Sequence, residues 1–437
     1  YDSAYRGSAC TVTTDTIKGA PMTISKSRRT LSLATLAIRE GAAIDTSTVN
    51  CEPLALTSSY VFESAQDAEE KFAGRSIGHV YSRISNPTVS AFEQRIAALE
   101  NAYGGVAFSS GMAAIDSVLM AYLRPGDQVV VGGNVFGTTA FLFVNFYNTW
   151  GISIDFVDLS QEKNWQNKIS DKTRLVFFET PSNPNLRLTN IERLSAKAHQ
   201  HGALVVVDNT SGTPIMTQPI GLGADIVVHS AGKFLDGQGR VGGGVVLGDA
   251  SVCEQMRAIV RSKGNCISPF NAWIVLKSLE TLDIRMRMHS ENAQKLAQYL
   301  TNSPYVDTVY YPGLNDHPQR DLALKQHANN LHGGIVSFEL KGDKARAWRF
   351  IDRLELITNS TNIGDTKTLV THPASTTHGR LTSKQKNIFG ISDTLIRVSV
   401  GLEDSRDLLA DIENALVHLT QTDITGQFKE LNHEQSA

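Results

Sequence analysis

The stretch Ala203–Lys233, ALVVVDNTSGTPIMTQPIGLGADIVVHSAGK, sets the expected fold of this 437-residue chain. It contains two apolar runs, LVVVD and DIVVHSA, in which apolar and polar residues do not alternate. Such runs are typical of strands that helices cover on both faces of a parallel sheet. Asp208 ends the first run, Ser230 stands near the end of the second run after its DIVV stretch, and Lys233 follows. These polar groups are therefore predicted to meet at the carboxyl edge of the sheet, where ligands of α/β proteins bind.

Similar apolar runs precede this stretch, at 128–132, 152–159 and 174–180. In the last of them Glu179 follows the RLVFF stretch, Asn183 comes after the run, and both are expected at the same edge. Helical patterns separate the runs, at 88–102, 111–123 and 189–202. In the third pattern Thr189 and Glu192 have capping-box spacing, and Gly202 predicts the helix end. Alternating strands and helices predict an α/β fold with a mostly parallel sheet and helices on both faces.

The sequence pattern divides the chain into three parts. Residues 85–266 carry the alternating strands and helices and form the predicted large domain. Residues 267–437 are predicted to form a smaller C-terminal α/β domain, in which 271–300 read as one long helix. Residues 1–84 form an N-terminal segment, of which 1–21 lack apolar periodicity and are expected to be a leader or a non-native extension. Met22 is then a candidate native start.

Composition narrows the function classes. A net charge of −3 leaves no basic excess for a nucleic acid or a membrane surface, so a small-molecule substrate is expected. The four cysteines have no metal-ligand spacing, so no metal site is predicted, and their small number favours the reducing cytoplasm. The apolar run Leu31–Ile38 follows two arginines like a targeting signal, but it is short and has no cleavage site, so an amphipathic helix is predicted.

Two features after the last apolar run compete as the chemical site. The glycines of GQGRVG, 237–242, match dinucleotide-binding spacing, but a strand pattern follows them where a helix is required, so a close-packed loop is favoured over a nicotinamide site. Lys233 and Asp208 instead suit a pyridine cofactor, because a lysine can form its Schiff base while a carboxylate keeps the ring nitrogen protonated. The helix start SSGMAA, with Gly111 and Met112, offers backbone N–H groups for a phosphate.

The ordered motifs YSRISNPT, SSGMAA, ETPSNPN, VVVDNT, HSAGK, GDTKTLVTHPAST and IRVSVGLED extend across most of the chain. With them, the sequence resembles the pyridoxal-phosphate (PLP) enzymes of cysteine and methionine metabolism, the cystathionine γ-synthase family. The resemblance implies the fold type I of PLP-dependent transferases, with 85–266 as the PLP-binding domain. It also implies a homotetramer whose active sites are shared, with residues 1–84 reaching a neighbouring subunit.

The resemblance implies roles for individual residues. Lys233 would bind the cofactor covalently and carry protons. The other residues implied in cofactor binding are Asp208 at the ring nitrogen, Asn183 at the phenolic oxygen, Phe136 stacked on the ring, Gly111, Met112 and Ser230 at the phosphate, and Tyr81 and Arg83 at the phosphate from a neighbouring subunit. Arg397 and Asn362 would bind the substrate α-carboxylate. His372 and His378 are expected to be neutral structural histidines, and Phe136 replaces a tyrosine of many members.

The implied reaction is a γ-replacement in methionine biosynthesis, in which O-succinyl-L-homoserine and sulfide give L-homocysteine and succinate. Cysteine as the nucleophile, an acetyl ester, or γ-elimination as in a methionine γ-lyase remain alternatives. Thr138 stands where such lyases have cysteine, which favours replacement. A cofactor-binding regulator without catalysis is disfavoured by the intact motifs. Gly232 departs from a family threonine that helps to bind phosphate. Gln238 and Arg240 stand where the family commonly has histidine and aspartate, and Arg240 is expected to favour the anionic succinyl leaving group.

Overall fold

A computed structural model describes residues 31–41 and 50–434 of the chain. The segment 1–21, Met22 and most of the predicted N-terminal arm before residue 50 lie outside the described residues. The predicted amphipathic helix is present as Leu33–Arg39, with Ser32 as its N-cap and with Leu36 and Ala37 buried. No helix of the described part is both long and apolar enough to cross a membrane.

A seven-stranded sheet forms the centre of the larger part. Its strands are β1 Gly104–Phe108, β2 Gln128–Gly132, β3 Ser153–Val157, β4 Thr173–Glu179, β5 Leu204–Asp208, β6 Ile226–Ser230 and β7 Gly244–Gly248. The order is β1-β7-β6-β5-β4-β2-β3, and only β7 runs antiparallel to its neighbours. The prediction of a mostly parallel sheet is confirmed. No helix lies between β6 and β7, and a parallel pairing would need such a crossover.

Nine helices of the described residues accompany this sheet: α1 Leu33–Arg39, α2 Ala65–Phe72, α3 Pro87–Leu99, α4 Gly111–Tyr122, α5 Gly137–Leu142, α6 Glu162–Trp165, α7 Ile191–Gln200, α8 Thr213–Met216 and α9 Ala250–Lys263. The predicted helices α3, α4 and α7 are confirmed, but the predicted cap of α7 is wrong. Asn190 is the N-cap, since its side chain accepts the Arg193 N–H at 3.1 Å, while the Thr189 N–H donates to Thr180 Oγ1. Gly202 follows the helix end at φ +70°.

From residue 267 to 434, the described chain forms a five-stranded sheet and six helices. Its elements are α10 Pro269–Leu279, α11 Leu282–Thr301, β8 Val306–Tyr310, α12 Arg320–Gln326, β9 Ile335–Leu340, α13 Lys344–Asp352, β10 Thr358–Asn359, β11 Leu369–Thr371, α14 Ser383–Phe389, β12 Leu395–Ser399 and α15 Ser405–Glu434. The strand order is β10-β11-β12-β9-β8, antiparallel except for β10 and β11. A second, smaller α/β unit is thus confirmed.

The single long helix predicted over 271–300 is wrong, because the chain breaks it between α10 and α11. Thr281 leaves the helical backbone at φ −107° and ψ 5°. The Ser278 carbonyl accepts hydrogen bonds from the Thr281 hydroxyl at 3.2 Å and from Arg285 Nη2 at 2.9 Å. Side chains thus satisfy a carbonyl at the end of α10, so the helix can stop without leaving it unpaired.

Candidate active site

Polar side chains meet around a cavity of about 170 Å³ at the carboxyl ends of β4, β5 and β6. Its lining includes eight of the residues that were predicted to bind the cofactor or the substrate: Gly111, Met112, Phe136, Asn183, Asp208, Ser230, Lys233 and Arg397. Asn362 reaches the same place through a hydrogen bond to Lys233. Convergence at this edge follows from the parallel strands, whose carboxyl ends share one side of the sheet.

Lys233 lies in the loop after β6 and points into the cavity. Its Nζ donates a hydrogen bond to Asn362 Oδ1. Burial, and then the positive charge of Arg397, lowers the pKa of Lys233 below that of an ordinary lysine. Lys233 forms no ion pair with a carboxylate of the described residues, and such a pair would raise its pKa again. The amine is therefore more readily neutral, which is the form that attacks carbonyl carbons and accepts protons.

Two carboxyl groups stand side by side at the sheet edge, because Glu179 of β4 pairs in register with Asp208 of β5. Asp208 Oδ1 accepts the Thr210 N–H at 3.1 Å, and Glu179 Oε2 accepts the Phe136 N–H at 3.0 Å. Burial raises the pKa of Asp208, and burial followed by repulsion from Asp208 raises the pKa of Glu179. A cationic ring nitrogen at Asp208 would relieve this cost.

Glu179 received no role from the sequence. Its position at the end of an apolar run, like that of Asp208, was the only signal that could have suggested one. In the structure its carboxyl group holds the backbone of Phe136 at the cavity wall. It thereby holds the backbone that carries the aromatic ring predicted to stack on the cofactor.

The start of α4 packs tightly against the end of β6. Ser110 caps the helix by accepting the Ala113 N–H at 3.1 Å. A Cβ atom at Gly111 would lie 2.7 Å from Ser230 Cβ and 2.9 Å from Ser230 Oγ, so only glycine lets the two chains approach this closely. Backbone N–H groups of Gly111 and Met112 and the Ser230 hydroxyl thus share one small space. A phosphate group fits such a cradle.

The loop after Ser230 explains one departure from the family pattern. The Ser230 N–H donates to Thr210 Oγ1 at 2.8 Å, which ties the end of β6 to the loop after β5. A Cβ atom at Gly232 would overlap the Val241 carbonyl oxygen. A threonine at this position would need a different path of the 237–243 loop, so Ser230 is the hydroxyl that this loop presents to the cavity.

Arg397 lies in the middle of β12 and is completely buried. Neutral oxygens hold its guanidinium group, with Asn183 Oδ1 at 3.1 Å and the carbonyl oxygens of Thr361 and Asn362 at 2.8 and 3.2 Å. Its Nε atom is buried and has no hydrogen-bond partner among the described residues. Burial lowers the pKa of Arg397 to about 10. An oriented guanidinium without a bonded carboxylate is suited to bind the carboxylate of a ligand.

The structure keeps Tyr81 and Arg83 away from the cavity of their own chain. The Arg83 guanidinium lies 5.5 Å from the centroid of the Tyr81 ring and donates a hydrogen bond to the Arg261 carbonyl oxygen. Tyr81 is 41% exposed. Neither residue lines the cavity, so their predicted contact with the phosphate requires a second subunit and stays a prediction.

Other polar candidates have structural partners. His372 Nδ1 accepts the Trp348 indole N–H at 3.2 Å and Nε2 lies 2.9 Å from the Asp393 carbonyl oxygen, which fits a neutral ring. Burial lowers the pKa of His378 to about 4. No cluster of three metal-binding side chains occurs among the described residues.

The expectation for Arg240 is not met by its geometry. Arg240 Nε and Nη2 bind Asp236 Oδ1 at 3.0 and 2.7 Å, and Nη2 also donates to Ser278 Oγ. Arg240 does not line the cavity. Because Asp236 is fully buried, it needs this cation, and the guanidinium is not free to favour a leaving group.

Comparison with known proteins gives matches over most of the chain. Residues 34–417 match the family model described as Cys/Met metabolism PLP-dependent enzyme. An O-succinylhomoserine sulfhydrylase of Pseudomonas aeruginosa is 48% identical over 88% of this chain and 95% of its own length. An L-methionine γ-lyase of Fusobacterium nucleatum is 40% identical over 88% of this chain and 98% of its own length.

A solved structure shares the fold. It is that of an O-acetylhomoserine (thiol)-lyase from Campylobacter jejuni, with a TM-score of 0.84 and 32% identity over 88% of this chain and all of that chain. That protein carries an N′-pyridoxyl-lysine-5′-monophosphate, a pyridoxal phosphate bonded to a lysine.

Proposed function

Because the chain belongs to the PLP-dependent enzymes of Cys/Met metabolism, we propose that it replaces the γ-substituent of a homoserine ester. In the proposed reaction, O-succinyl-L-homoserine and hydrogen sulfide give L-homocysteine and succinate, as a step of methionine biosynthesis. The Cγ–O bond breaks, its electron pair leaves with succinate, and a Cγ–S bond forms. The observation that carries the proposal is the single cavity in which Lys233, Asp208 and Arg397 meet.

The cavity offers a partner for each part of the cofactor. Bound PLP supplies an electron-withdrawing ring that makes the α-hydrogen of an attached amino acid acidic. We assign the phosphate to Gly111, Met112 and Ser230, and the ring nitrogen to Asp208. Phe136 offers an aromatic face for the ring, and the amide nitrogen of Asn183 is left for the phenolic oxygen, since its Oδ1 is bonded to Arg397.

Lys233 is the proposed point of covalent attachment and the proposed proton carrier. Burial lowers the pKa of its amine, which favours the neutral form that can accept a proton and return it later. Asn362 orients Nζ through its hydrogen bond. Arg397 would bind the substrate α-carboxylate, with Asn362 assisting, and hold Cα and Cβ beside that amine.

A γ-lyase is the second candidate, since a relative of that name is 40% identical. It would share every step until the γ-substituent has left, and then water would release 2-oxobutanoate and ammonia. Thr138 favours replacement over elimination, because methionine γ-lyases of the family have cysteine at this position. Cystathionine γ-synthase and O-acetylhomoserine sulfhydrylase activities differ only in the nucleophile or the ester.

We also propose the assembly and location. Residues 1–84 are proposed to reach a neighbouring subunit of a homotetramer, with 85–266 as the PLP-binding domain and 267–437 as the C-terminal domain. Large apolar side chains exposed in this segment support a covered surface, namely Leu56 at 68%, Val61 at 96% and Ile77 at 86% exposure. A cytoplasmic location is proposed from the few cysteines, of which Cys51, Cys253 and Cys266 are free thiols.

Product analysis tests the proposed reaction. The purified, PLP-loaded protein is incubated with O-succinyl-L-homoserine, with and without sulfide, and Lys233→Ala serves as the blank. We expect homocysteine only when sulfide is present, and a rate lower by at least about 100-fold in Lys233→Ala, as for the loss of a proton-transfer group. 2-Oxobutanoate and ammonia at the same rate with or without sulfide would identify a lyase instead.

A further inference from the structure

A second cavity, of about 380 Å³, adjoins the cofactor cavity. Phe136, Thr361 and Thr377 belong to the walls of both, so a ligand that fills the first cavity has a direct continuation into the second. The remaining wall comes from the start of α5 and from the 376–381 segment. These two elements touch closely, since a Cβ atom at Gly137 would lie 2.5 Å from the Thr377 carbonyl oxygen.

Arg380 gives this second cavity its charge. Among the described side chains of the wall, Arg380 is the one cation, because burial lowers the pKa of His378 to about 4 and the other side chains are uncharged. The Arg380 guanidinium lies 5.7 Å from the centroid of the Phe141 ring. It has no hydrogen bond or ion pair with any described residue. A cation beside a cavity without acidic groups is suited to an anionic ligand.

The two cavities therefore present two guanidinium groups to one ligand. Arg397 lies in the first cavity and Arg380 in the second. O-Succinyl-L-homoserine carries two carboxylates, one on Cα and one at the far end of the succinyl group, whereas the acetyl ester carries only the first. Arg240, the other candidate for the succinyl group, is bonded to Asp236.

We propose that Arg380 binds the terminal carboxylate of the succinyl group and so determines the preference for a succinyl over an acetyl ester. The inference rests on the proposed γ-replacement at the same site. The guanidinium group of Arg380 can bind a carboxylate through two parallel hydrogen bonds. Phe141 positions the guanidinium through its ring face.

The test compares kcat/KM for both esters, with sulfide as the nucleophile, in the PLP-loaded wild type, Arg380→Gln and Arg380→Lys. Arg380→Gln should lower the succinyl-to-acetyl ratio of kcat/KM by roughly 10- to 100-fold, the range for a lost charged hydrogen bond. The loss should lie mainly in KM, since this contact does not involve the reacting atoms. Arg380→Lys should retain part of the ratio, because it keeps the charge but not the fork.

The matched control is Arg193→Gln, an exposed arginine on α7 that lines neither cavity. It should leave the ratio as in the wild type. Calorimetric binding of both esters to Lys233→Ala and to Lys233→Ala with Arg380→Gln gives a second readout without turnover, and the added change should weaken only the succinyl ester.

Failure of the two proposals can be told apart. An unchanged ester ratio in a folded Arg380→Gln variant overturns the role of Arg380 and leaves the γ-replacement intact. A wild type that prefers the acetyl ester would likewise overturn the role of Arg380 and leave the γ-replacement intact. No homocysteine from either ester would overturn the proposed function, and with it the assignment of Arg380.

Discussion

At the residue scale, Asp208 is a buried carboxyl group whose ionisation is unfavourable unless a cation lies beside it. Its carboxyl group is buried and, among the described residues, has hydrogen bonds only to Thr210, and burial raises its pKa. In the apoprotein the carboxylate form is therefore the one that folding disfavours. A protonated ring nitrogen would neutralise the charge, so cofactor binding and the ionisation of Asp208 should be coupled.

Asp208→Asn should stabilise the apoprotein while weakening its binding of PLP. The folded pKa of Asp208 is raised, so its contribution to stability is full below about pH 4 and is lost as the pH rises through the folded pKa. Asparagine does not ionise, so the variant does not lose this stability as the pH rises. The apoprotein melting temperature should rise by roughly 1–3 °C at pH 8, with little change near pH 4.

PLP affinity should fall by at least about tenfold in Asp208→Asn, because a buried charge loses its partner. Thermal unfolding of the apoprotein and a PLP titration measure both effects. Asp171→Asn, which changes an exposed carboxylate paired with His201, is the control and should alter neither. An Asp208→Asn apoprotein that is less stable than the wild type at pH 8 would contradict the claim that ionised Asp208 destabilises the apoprotein.

At the scale of elements, the site depends on how closely α4 approaches β6. Gly111 packs against Ser230 without room for a side chain. The helix start therefore faces the Ser230 hydroxyl, and the cap from Ser110 fixes its first turn. Any shift of α4 away from β6 would separate the backbone N–H groups from that hydroxyl.

Gly111→Ala should push these elements apart, because its Cβ would lie 2.7 Å from Ser230 Cβ. We expect a loss of about 1–3 kcal/mol in the free energy of unfolding, as for other overpacked sites, and weaker PLP binding. Gly221→Ala is the matched control, since a Cβ there meets nothing within 4 Å. Denaturant unfolding and PLP titration of both variants check this, and equal behaviour of the two would refute the close-packing argument.

Elements also show what the sequence could and could not predict. Asp208, Ser230 and Lys233 were predictable as neighbours, because adjacent parallel strands end at one edge. Arg397 came only from the family resemblance, since its strand belongs to another sheet far along the chain. The break between α10 and α11 depends on Arg285 bonding the Ser278 carbonyl, a contact that apolar periodicity does not reveal.

The second cavity and the role of Glu179 were not predictable either, because both depend on contacts that the local sequence does not reveal. Gly137 and Thr377 come together only through packing between the two parts of the chain, so nothing local places Arg380 near the site. The position of Glu179 at a strand end was predictable from the sequence. Its role was not, because its carboxyl group accepts a hydrogen bond from a backbone N–H, and the pattern of side chains does not predict such a contact.

At the scale of the whole molecule, the described chain does not place Tyr81 and Arg83 at its own cavity. Their motif matches the family pattern, and a segment with exposed apolar side chains surrounds them. Buried Arg95 anchors the same segment by binding Glu52 Oε1 at 2.5 Å. An anchored segment that presents Tyr81 and Arg83 outward fits an arm that completes the site of a neighbouring subunit.

Subunit mixing tests this sharing of sites. Lys233→Ala and Arg83→Ala oligomers should each be nearly inactive. Co-expression in equal amounts should restore about a quarter of the wild-type activity, because random pairing of symmetric subunits leaves that fraction of sites with both residues. Mixed oligomers that stay inactive would mean that each subunit uses its own Arg83.

The ratio of homocysteine to 2-oxobutanoate, measured at saturating O-succinyl-L-homoserine as the sulfide concentration is raised, tests the proposed γ-replacement most directly. If the Lys233 site performs replacement, sulfide competes with the release of the oxo acid. The ratio should then rise in proportion to sulfide until homocysteine accounts for nearly all the succinate released. Production of 2-oxobutanoate that does not fall as sulfide increases would contradict the account and identify the enzyme as a γ-lyase.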